Sequence, residues 1–424
     1  MLETAETRER AVLVGVDRGS VEWPLEDSLD ELERLADTAG ADTVARLSQR
    51  LASPNPRTFI GTGKVREVAD AIRDTSADVV IFDDELTPSQ QANLERELGR
   101  DVKVIDRTAL ILDIFALSAT SREGRLEVRL AQNLYLYPRL RGMWAHLASN
   151  RMGGGVGSRF GEGESQLEVD RRLVRKRITR LKRELAQLAT TRGTQRKERA
   201  TSGIFRVALA GYTNAGKSSL LNALCGSCES AAENRLFATL DSTTRRIEPD
   251  GGVPVTVTDT VGFIQKLPHT LVEAFRSTLD EVRDADLVVI VCDAASPMRD
   301  SQLASVRDVL DEIGAAEVPA IIADNKIDLV DAAGRARLAA SPESPQLISA
   351  ATGEGIDGLA AAISERALES STHLRVLVPY AQGSLVELAH ASCSVASEEY
   401  AADGVQLELL CPRPLVHRFA PFAL

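Results

Sequence analysis

From Ala11 to about Leu117 the hydrophobic positions follow two alternating rhythms. Short apolar runs, Ala11–Val16, Asp78–Phe82 and Val102–Ile105, have the continuity of strands buried on both faces. Between them lie amphipathic segments at Leu29–Ala36, Thr43–Leu51 and Val65–Ile72, with further helices predicted at Gln90–Leu98 and Leu110–Leu117. The alternation predicts a parallel sheet with crossover helices. Within it, Gly61–Lys64 looks like a fragment of a phosphate loop, but it lacks the upstream glycine and the following Ser or Thr. It reads instead as a tight turn into a helix.

From Ser121 to Ala200 the period changes. Leu126, Leu130, Tyr137, Leu140, Trp144 and Leu147 recur at heptad-like spacing, and a second array runs Leu167, Val174, Ile178, Leu181, Leu185 and Leu188. The glycine-rich stretch Met152–Gly163 between them can continue neither helix, since glycine favours the unfolded chain and lets the backbone turn. The pattern predicts an antiparallel helical, coiled-coil-like hairpin with a glycine-rich tip. Asn133 interrupts the first array, and Pro138 is expected to kink that helix.

Charge changes this picture once it is divided by segment. Over 424 residues, 62 acidic against 50 basic side chains give a net charge of -12, which on average argues against a polyanion partner. Ser121–Ala200, however, holds nineteen Lys or Arg and eight Asp or Glu, a net of +11, leaving -23 on the remainder. The cluster Arg171, Arg172, Arg175, Lys176, Arg177, Arg180, Lys182 and Arg183 is too one-signed for an ordinary solvated face, and it implies nucleic acid or another polyanion as partner. Only eight basic residues are lysines, so a lysine within a motif is informative. The longest apolar run, Leu287–Cys292, is far too short to cross a bilayer, and the acidic opening Met1–Glu6 does not read as a signal peptide. A cytoplasmic protein with no membrane span is expected. Five cysteines spread over the chain form no disulfide framework.

The chemistry concentrates downstream. Gly211–Ser218 (Gly-Tyr-Thr-Asn-Ala-Gly-Lys-Ser) follows the apolar run Phe205–Ala210 and precedes Ser219–Leu224, the strand, loop and helix context of a phosphate loop. Glycines let backbone amides close around phosphate oxygens, Lys217 supplies a point charge to the outer phosphates, and the Ser218 hydroxyl can ligate Mg2+. Val253–Gly262 places Asp259 at a strand end and Gly262 three residues on, an acid suited to Mg2+ and an amide suited to a terminal phosphate. Asn325–Asp328 closes the strand Pro319–Asp324, and the Asp328 carboxylate suits the N1–H and exocyclic amine of guanine. Asn325 can hold this loop, the Lys326 stem can cover a base face, and Ser349-Ala350 offers an amide to the guanine oxygen.

In this order and spacing, these segments resemble the motifs of translation-factor-related P-loop GTPases. Together with Leu236–Asp241, Asp259–Ile264, Gly161–Arg172 and Val104–Phe115, they closely resemble the HflX family over nearly the whole chain. The resemblance implies an α/β fold in four parts: an α/β N-terminal domain over 1–120, a basic helical hairpin over 121–200, a P-loop GTPase domain over 201–369 and a small α+β domain over 370–424. It implies GTP/GDP and Mg2+ as ligands, with Lys217, Thr239 and Gly262 catalytic and Ser218, Thr239 and Asp259 at the metal. Thr243 or Thr244 stands as the alternative to Thr239. The implied nucleotide contacts are Gly211, Asn214, Ala215, Gly216, Lys217, Ser218, Ser219, Phe237, Thr239, Asp259, Gly262, Asn325, Lys326, Asp328, Ser349 and Ala350.

By the same resemblance the expected partner is the large (50S) ribosomal subunit and its rRNA, reached by the hairpin of a monomer, with stalled or idle ribosomes dissociated or rescued. Ribosome assembly, or a GTP-switched binding module acting away from RNA, remain the alternatives. Phe263 stands where many GTPases carry a glutamine that orients the attacking water, so slow basal hydrolysis and stimulation by the ribosome are expected. Ala351 replaces the lysine often found after Ser-Ala. Cys225 and Cys228 have CxxC spacing but no second pair accompanies them, and the five histidines show no ligand spacing.

Overall fold

The structure is a computed structural model describing residues 8–20, 23–99, 101–150, 160–201, 204–226, 236–237, 240–248, 253–266, 271 and 275–424; side chains are described for these except 141–150, 160–167, 190–201 and 276–278. Thr239, Cys228, His269 and most of the glycine-rich tip lie outside the described residues. The chain groups into two compact units. The first is Met1–Ala186 with Arg235–Phe237 and Lys266–Phe275, and the second holds the rest.

The first unit is built on β1 (Glu9–Asp17), β2 (Ala41–Arg50), β3 (Val79–Phe82) and β4 (Lys103–Asp106). They form an all-parallel sheet of order β2-β1-β3-β4. Crossovers are made by α1 (Leu25–Thr38), α2 (Thr62–Thr75) and α3 (Pro88–Leu98), and α4 (Arg107–Ser118) follows β4. The apolar run in β1 is explained by cover on both faces. Val12, Val14, Val80 and Phe82 pack in one core with Val65, Val68 and Leu94 of α2 and α3, while α1 and α4 contact each other. Gly61 caps α2, so Gly61–Lys64 is the expected turn into a helix. Thr87 and Gln90 form a reciprocal capping box on α3, and Asp106 caps α4 through the Ala109 amide at 2.9 Å. The amphipathic segment at Thr43–Leu51 falls on β2, an edge strand of alternating burial.

Two long helices follow, α5 (Arg122–Asn150) and α6 (Phe160–Thr201). α5 runs on through Pro138, and Asn133 turns its amide back to the Arg129 carbonyl at 2.6 Å. Tyr137 of α5 meets α6: Arg175 donates to its hydroxyl at 2.5 Å, and the Arg171 guanidinium stands 5.7 Å from its ring. On α6 Val174, Ile178, Leu185 and Leu188 are half-buried and Leu181 is buried, while Arg172, Arg175, Lys176, Arg177, Arg180, Lys182 and Arg183 are exposed.

In the second unit β5 (Phe205–Gly211), β6 (Thr243–Ile247), β7 (Val255–Asp259), β8 (Leu287–Asp293), β9 (Ala320–Asn325) and β10 (Gln346–Leu347) form a sheet of order β10-β9-β8-β5-β7-β6. Among the described residues only the β6–β7 pairing of this sheet is antiparallel. Its helices are α7 (Lys217–Leu224), α8 (Arg276–Arg283), α9 (Arg299–Glu312), α10 (Ala332–Ala339) and α11 (Ile356–Glu369). β5 lies between β7 and β8, where the order of strands reverses, so the loop at its carboxyl end opens at the ligand position of a doubly wound sheet. An antiparallel sheet of β11 (Ser371–Pro379), β13 (Gly404–Pro412) and β12 (Ser394–Ala401), with α12 (Gly383–Ser392) and α13 (Val416–Phe419), ends the chain around Val376, Leu407, Leu409 and Phe419. Among the described residues no helix is long and apolar enough to cross a membrane.

Candidate nucleotide-binding site

The loop from Gly211 to Ser218 owes its shape to two glycines. Gly211 has φ 156°, and a Cβ there would stand 2.3 Å from the Val291 carbonyl oxygen of β8. At Gly216, φ is 94° and a Cβ would stand 2.2 Å from Asn325 Nδ2. Side chains are excluded at both positions by backbone conformation and by space. Asn214 at the exposed turn also takes a positive φ, 61°. The loop delivers Lys217 and Ser218 onto the first turn of α7, with Ser219 next, where helix amides and the helix dipole favour an anion.

Lys217 is buried, and its ammonium donates to the Gly211 carbonyl at 3.1 Å and the Tyr212 carbonyl at 3.0 Å. Burial pushes its pKa down to about 8 against the opposing pull of Asp259. Ser218 Oγ donates to Asp259 Oδ2 at 2.6 Å, so the two oxygen ligands expected at Mg2+ already face one another. The segment after Asp259 is laced to the loop: Phe263 N donates to Gly211 O at 3.0 Å, Thr213 N to Phe263 O at 2.7 Å, and Gln265 N to the Tyr212 hydroxyl at 2.6 Å. Gly262 lies so close that a Cβ on it would meet Thr213 Cγ2 at 2.9 Å and Lys217 Nζ at 3.1 Å.

Asn325 is the junction between the phosphate loop and the base loops. Its Nδ2 donates to the Ala215 carbonyl at 2.8 Å and its Oδ1 accepts from the Ala350 amide at 2.9 Å. Ser349 beside it is fully buried, and its Oγ accepts from the Thr352 amide at 3.1 Å. Lys326 has a positive φ of 64° and pairs with Asp293 at 2.7 Å, while Asp328 is exposed on the following 3-10 turn. Two supports escaped the sequence reading. One is the Lys326–Asp293 pair; the other is a buried fork in which Arg299 of α9 binds Asp324 at 3.0 and 3.1 Å, immediately before Asn325. Burial raises the Asp324 carboxyl, and Arg299 draws it back only in part.

The structure thus brings together Gly211, Ala215, Gly216, Lys217, Ser218, Asp259, Gly262, Asn325 and Ala350. Within the first unit the Phe237 ring lies edge-on to Phe115 at 4.6 Å between centroids, and Phe275 meets the same Phe115 at 4.8 Å. Of the two threonines kept open beside Thr239, Thr244 bonds Thr258 hydroxyl to hydroxyl at 2.9 Å, and Thr243 stands opposite Asp259 in the β6–β7 ladder.

A phosphate loop on the central strand, an acid-to-glycine segment on its neighbour, and an Asn-Lys-Ile-Asp loop bolted to the first by Asn325 define a P-loop GTPase. Residues 206–326 match a family described as 50S ribosome-binding GTPase, residues 26–116 one described as GTP-binding GTPase N-terminal, and residues 118–199 one described as GTP-binding GTPase Middle Region. GTPase HflX of Lacrimispora saccharolytica is 42% identical over 98% of this chain and 96% of its own length. That of Caldanaerobacter subterraneus subsp. tengcongensis is 45% identical over 90% of this chain and 86% of its own. The crystal structure of a GTP-binding protein from Sulfolobus solfataricus in complex with GDP is 23% identical, covering 85% of this chain and 99% of that one at a TM-score of 0.44. The chain belongs to the HflX family of GTPases.

Proposed function

We propose that this GTPase docks on the large ribosomal subunit through its basic hairpin and dissociates or rescues stalled or idle ribosomes in the cytoplasm, with the ribosome completing its hydrolytic site. The observation that carries this reading is Phe263. It is 1% exposed and locked through its main chain to Gly211 and Thr213, in the position from which a glutamine would hold the attacking water. A site so equipped binds GTP and waits for a partner. The one-signed exposed face of α6 and the 50S ribosome-binding GTPase family matched by residues 206–326 both favour a ribosomal partner.

The residues divide the work accordingly. Lys217 and the amides of Gly216, Lys217 and Gly262 take the negative charge of the phosphates, and Asp328 reads guanine while Asn325 keeps its loop in register with the phosphate loop. Ser218 and Asp259 are hard oxygen donors already 2.6 Å apart, which fits Mg2+, and Thr239 would complete the protein's share. The ion, when bound, supplies positive charge to the β- and γ-phosphate oxygens.

GTP turnover measured with and without purified large subunits tests the proposal, and equal rates would sink it. Sucrose gradients of 70S particles incubated with GTP or a non-hydrolysable analogue should show separated subunits. Intact 70S particles under both conditions would move the protein to the assembly reading.

A further inference from the structure

Cys393 and Cys411 lie eighteen positions apart in the sequence, and the last sheet of the chain brings them face to face. In the antiparallel ladder of β12 and β13, Ser394 stands opposite Leu410 and Val395 opposite Leu409. One step further along the same register sets Cys393 against Cys411. Cys393 precedes β12, yet its backbone is already extended, at φ -116° and ψ 162°. Both side chains point to the inner face of the sheet, in one core with Leu407, Leu409 and Phe419. The two free thiols touch: Cys393 donates to the Cys411 sulfur, and Cys411 donates to the Pro412 carbonyl at 3.5 Å.

The Cys393 amide does not cross the ladder but donates to the Ala389 carbonyl of α12 at 2.9 Å. The pair is therefore of the non-hydrogen-bonded kind, in which facing Cα atoms approach to about 4.5 Å. Disulfides span Cα separations of roughly 4.4–6.8 Å, so a bond here needs no rearrangement of either strand. Among the described residues no third Cys, His or acid joins the two in a group that could hold a metal, which leaves the sulfurs to each other. We propose that Cys393 and Cys411 form a redox-sensitive modification site, which hydrogen peroxide converts from a dithiol into a disulfide that fastens the junction of α12 and β12 to β13.

In a reducing compartment the pair rests as the dithiol. Cys411 is fully buried and Cys393 is 4% exposed, which holds off bulky disulfide-exchange partners and favours a peroxide little larger than water. Burial alone would push the Cys411 thiol up, but the hydrogen bond from Cys393 outweighs it and draws the thiol below its ordinary value. Cys411 is thus the sulfur with thiolate character. It attacks one peroxide oxygen as the O–O bond breaks, giving a sulfenic acid and hydroxide. The Cys393 sulfur then bonds to the sulfenic sulfur and displaces a second hydroxide. The two thiol protons turn both hydroxides into water, and two electrons pass from sulfur to the peroxide oxygens.

The full chain, reduced and then exposed to hydrogen peroxide, is unfolded, alkylated and mapped by peptide mass. The peptides that hold Cys393 and Cys411 should be recovered joined, short of two hydrogens, and dithiothreitol should separate them. Because the bond constrains the unfolded chain, amide exchange along β12 and β13 should slow by about a hundredfold on oxidation, the scale for a closed loop of this length. Cys393→Ser and Cys411→Ser should each abolish both effects, and the double variant Cys225→Ser, Cys228→Ser should keep them. Alkylated thiols at both positions, sulfinic acids in place of the bond, or a bond to any other cysteine overturns the pairing. A bond that forms while exchange stays unchanged overturns the fastening. Mapping and exchange are both read on the wild-type chain, so a variant that fails to fold removes neither result.

Discussion

Lys217 does two jobs at different times, and its environment sets the pH at which they exchange. In the structure it is buried and donates to the Gly211 and Tyr212 carbonyls, and burial brings its pKa down to about 8 from 10.5. Because the folded value lies below the unfolded one, folding of the empty protein gains stability as pH rises through this window. Nucleotide binding responds in the opposite sense. Phosphate charge restores the ammonium, so binding takes up a proton above about pH 8. GDP affinity should therefore fall by up to about tenfold per pH unit above that point, with close to one proton taken up at about pH 9 and almost none from this group at about pH 7. Titration calorimetry in buffers of different ionisation enthalpy reads the proton directly, and a flat affinity across that range would show that Lys217 stays charged in the empty loop.

Among the elements, β3 and α4 meet at a buried charge cluster whose design shows why some of the molecule was legible in the sequence and some was not. Arg107 at the start of α4 is fully buried and grips Asp83, just past β3, and Glu31 of α1; Lys266, four residues beyond Gly262, reaches the same Asp83 at 2.6 Å. Burial alone would raise the Asp83 carboxyl, but the charges of Arg107 and Lys266 outweigh it and hold the carboxyl below its ordinary value. Its stabilising share is therefore present at neutral pH and lost as pH falls through the depressed value. Arg107→Ala removes the cation shared by two buried carboxylates, leaving Asp83 to Lys266 and Ser28, and should cost about 3–5 kcal/mol at pH 7 while flattening the acid limb of stability, as read by denaturant unfolding across pH. Apolar rhythm exposed the strands and helices around this cluster, because burial on two faces or one writes a period into the chain. Residue chemistry at fixed spacing exposed Lys217, Ser218, Asp259 and Asn325. Nothing local relates Arg107 to Glu31, Arg299 to Asp324 or Lys266 to Asp83, since each pair is joined only by the topology of the folded chain.

Over the whole molecule, charge is sorted by segment: +11 on residues 121–200 and -23 elsewhere. On the proposed ribosomal reading, the acidic remainder would repel phosphate backbones at long range and suppress indiscriminate RNA binding, while the arginine-rich face of α6 would attract them at short range. Each phosphate neutralised by that face releases condensed counterions, and affinity then falls linearly in log–log form with salt. Lys176, Arg177 and Arg183 are exposed on α6, so replacing all three by alanine removes charge without opening a core. Large-subunit affinity should drop at low salt, and the salt slope should become shallower by about two to three, one for each cation removed. Pelleting or sedimentation over a series of salt concentrations gives both numbers, with the thermal unfolding midpoint as the control for folding. A weaker affinity with the slope unchanged would mean that these cations act through the shape of the helix, and an unchanged affinity would move the ribosomal contact off this face altogether. The same series run with an unstructured polyribonucleotide separates docking from simple polyanion attraction. The acidic remainder should keep that binding weak in the wild-type chain at salt concentrations where the subunit is still held.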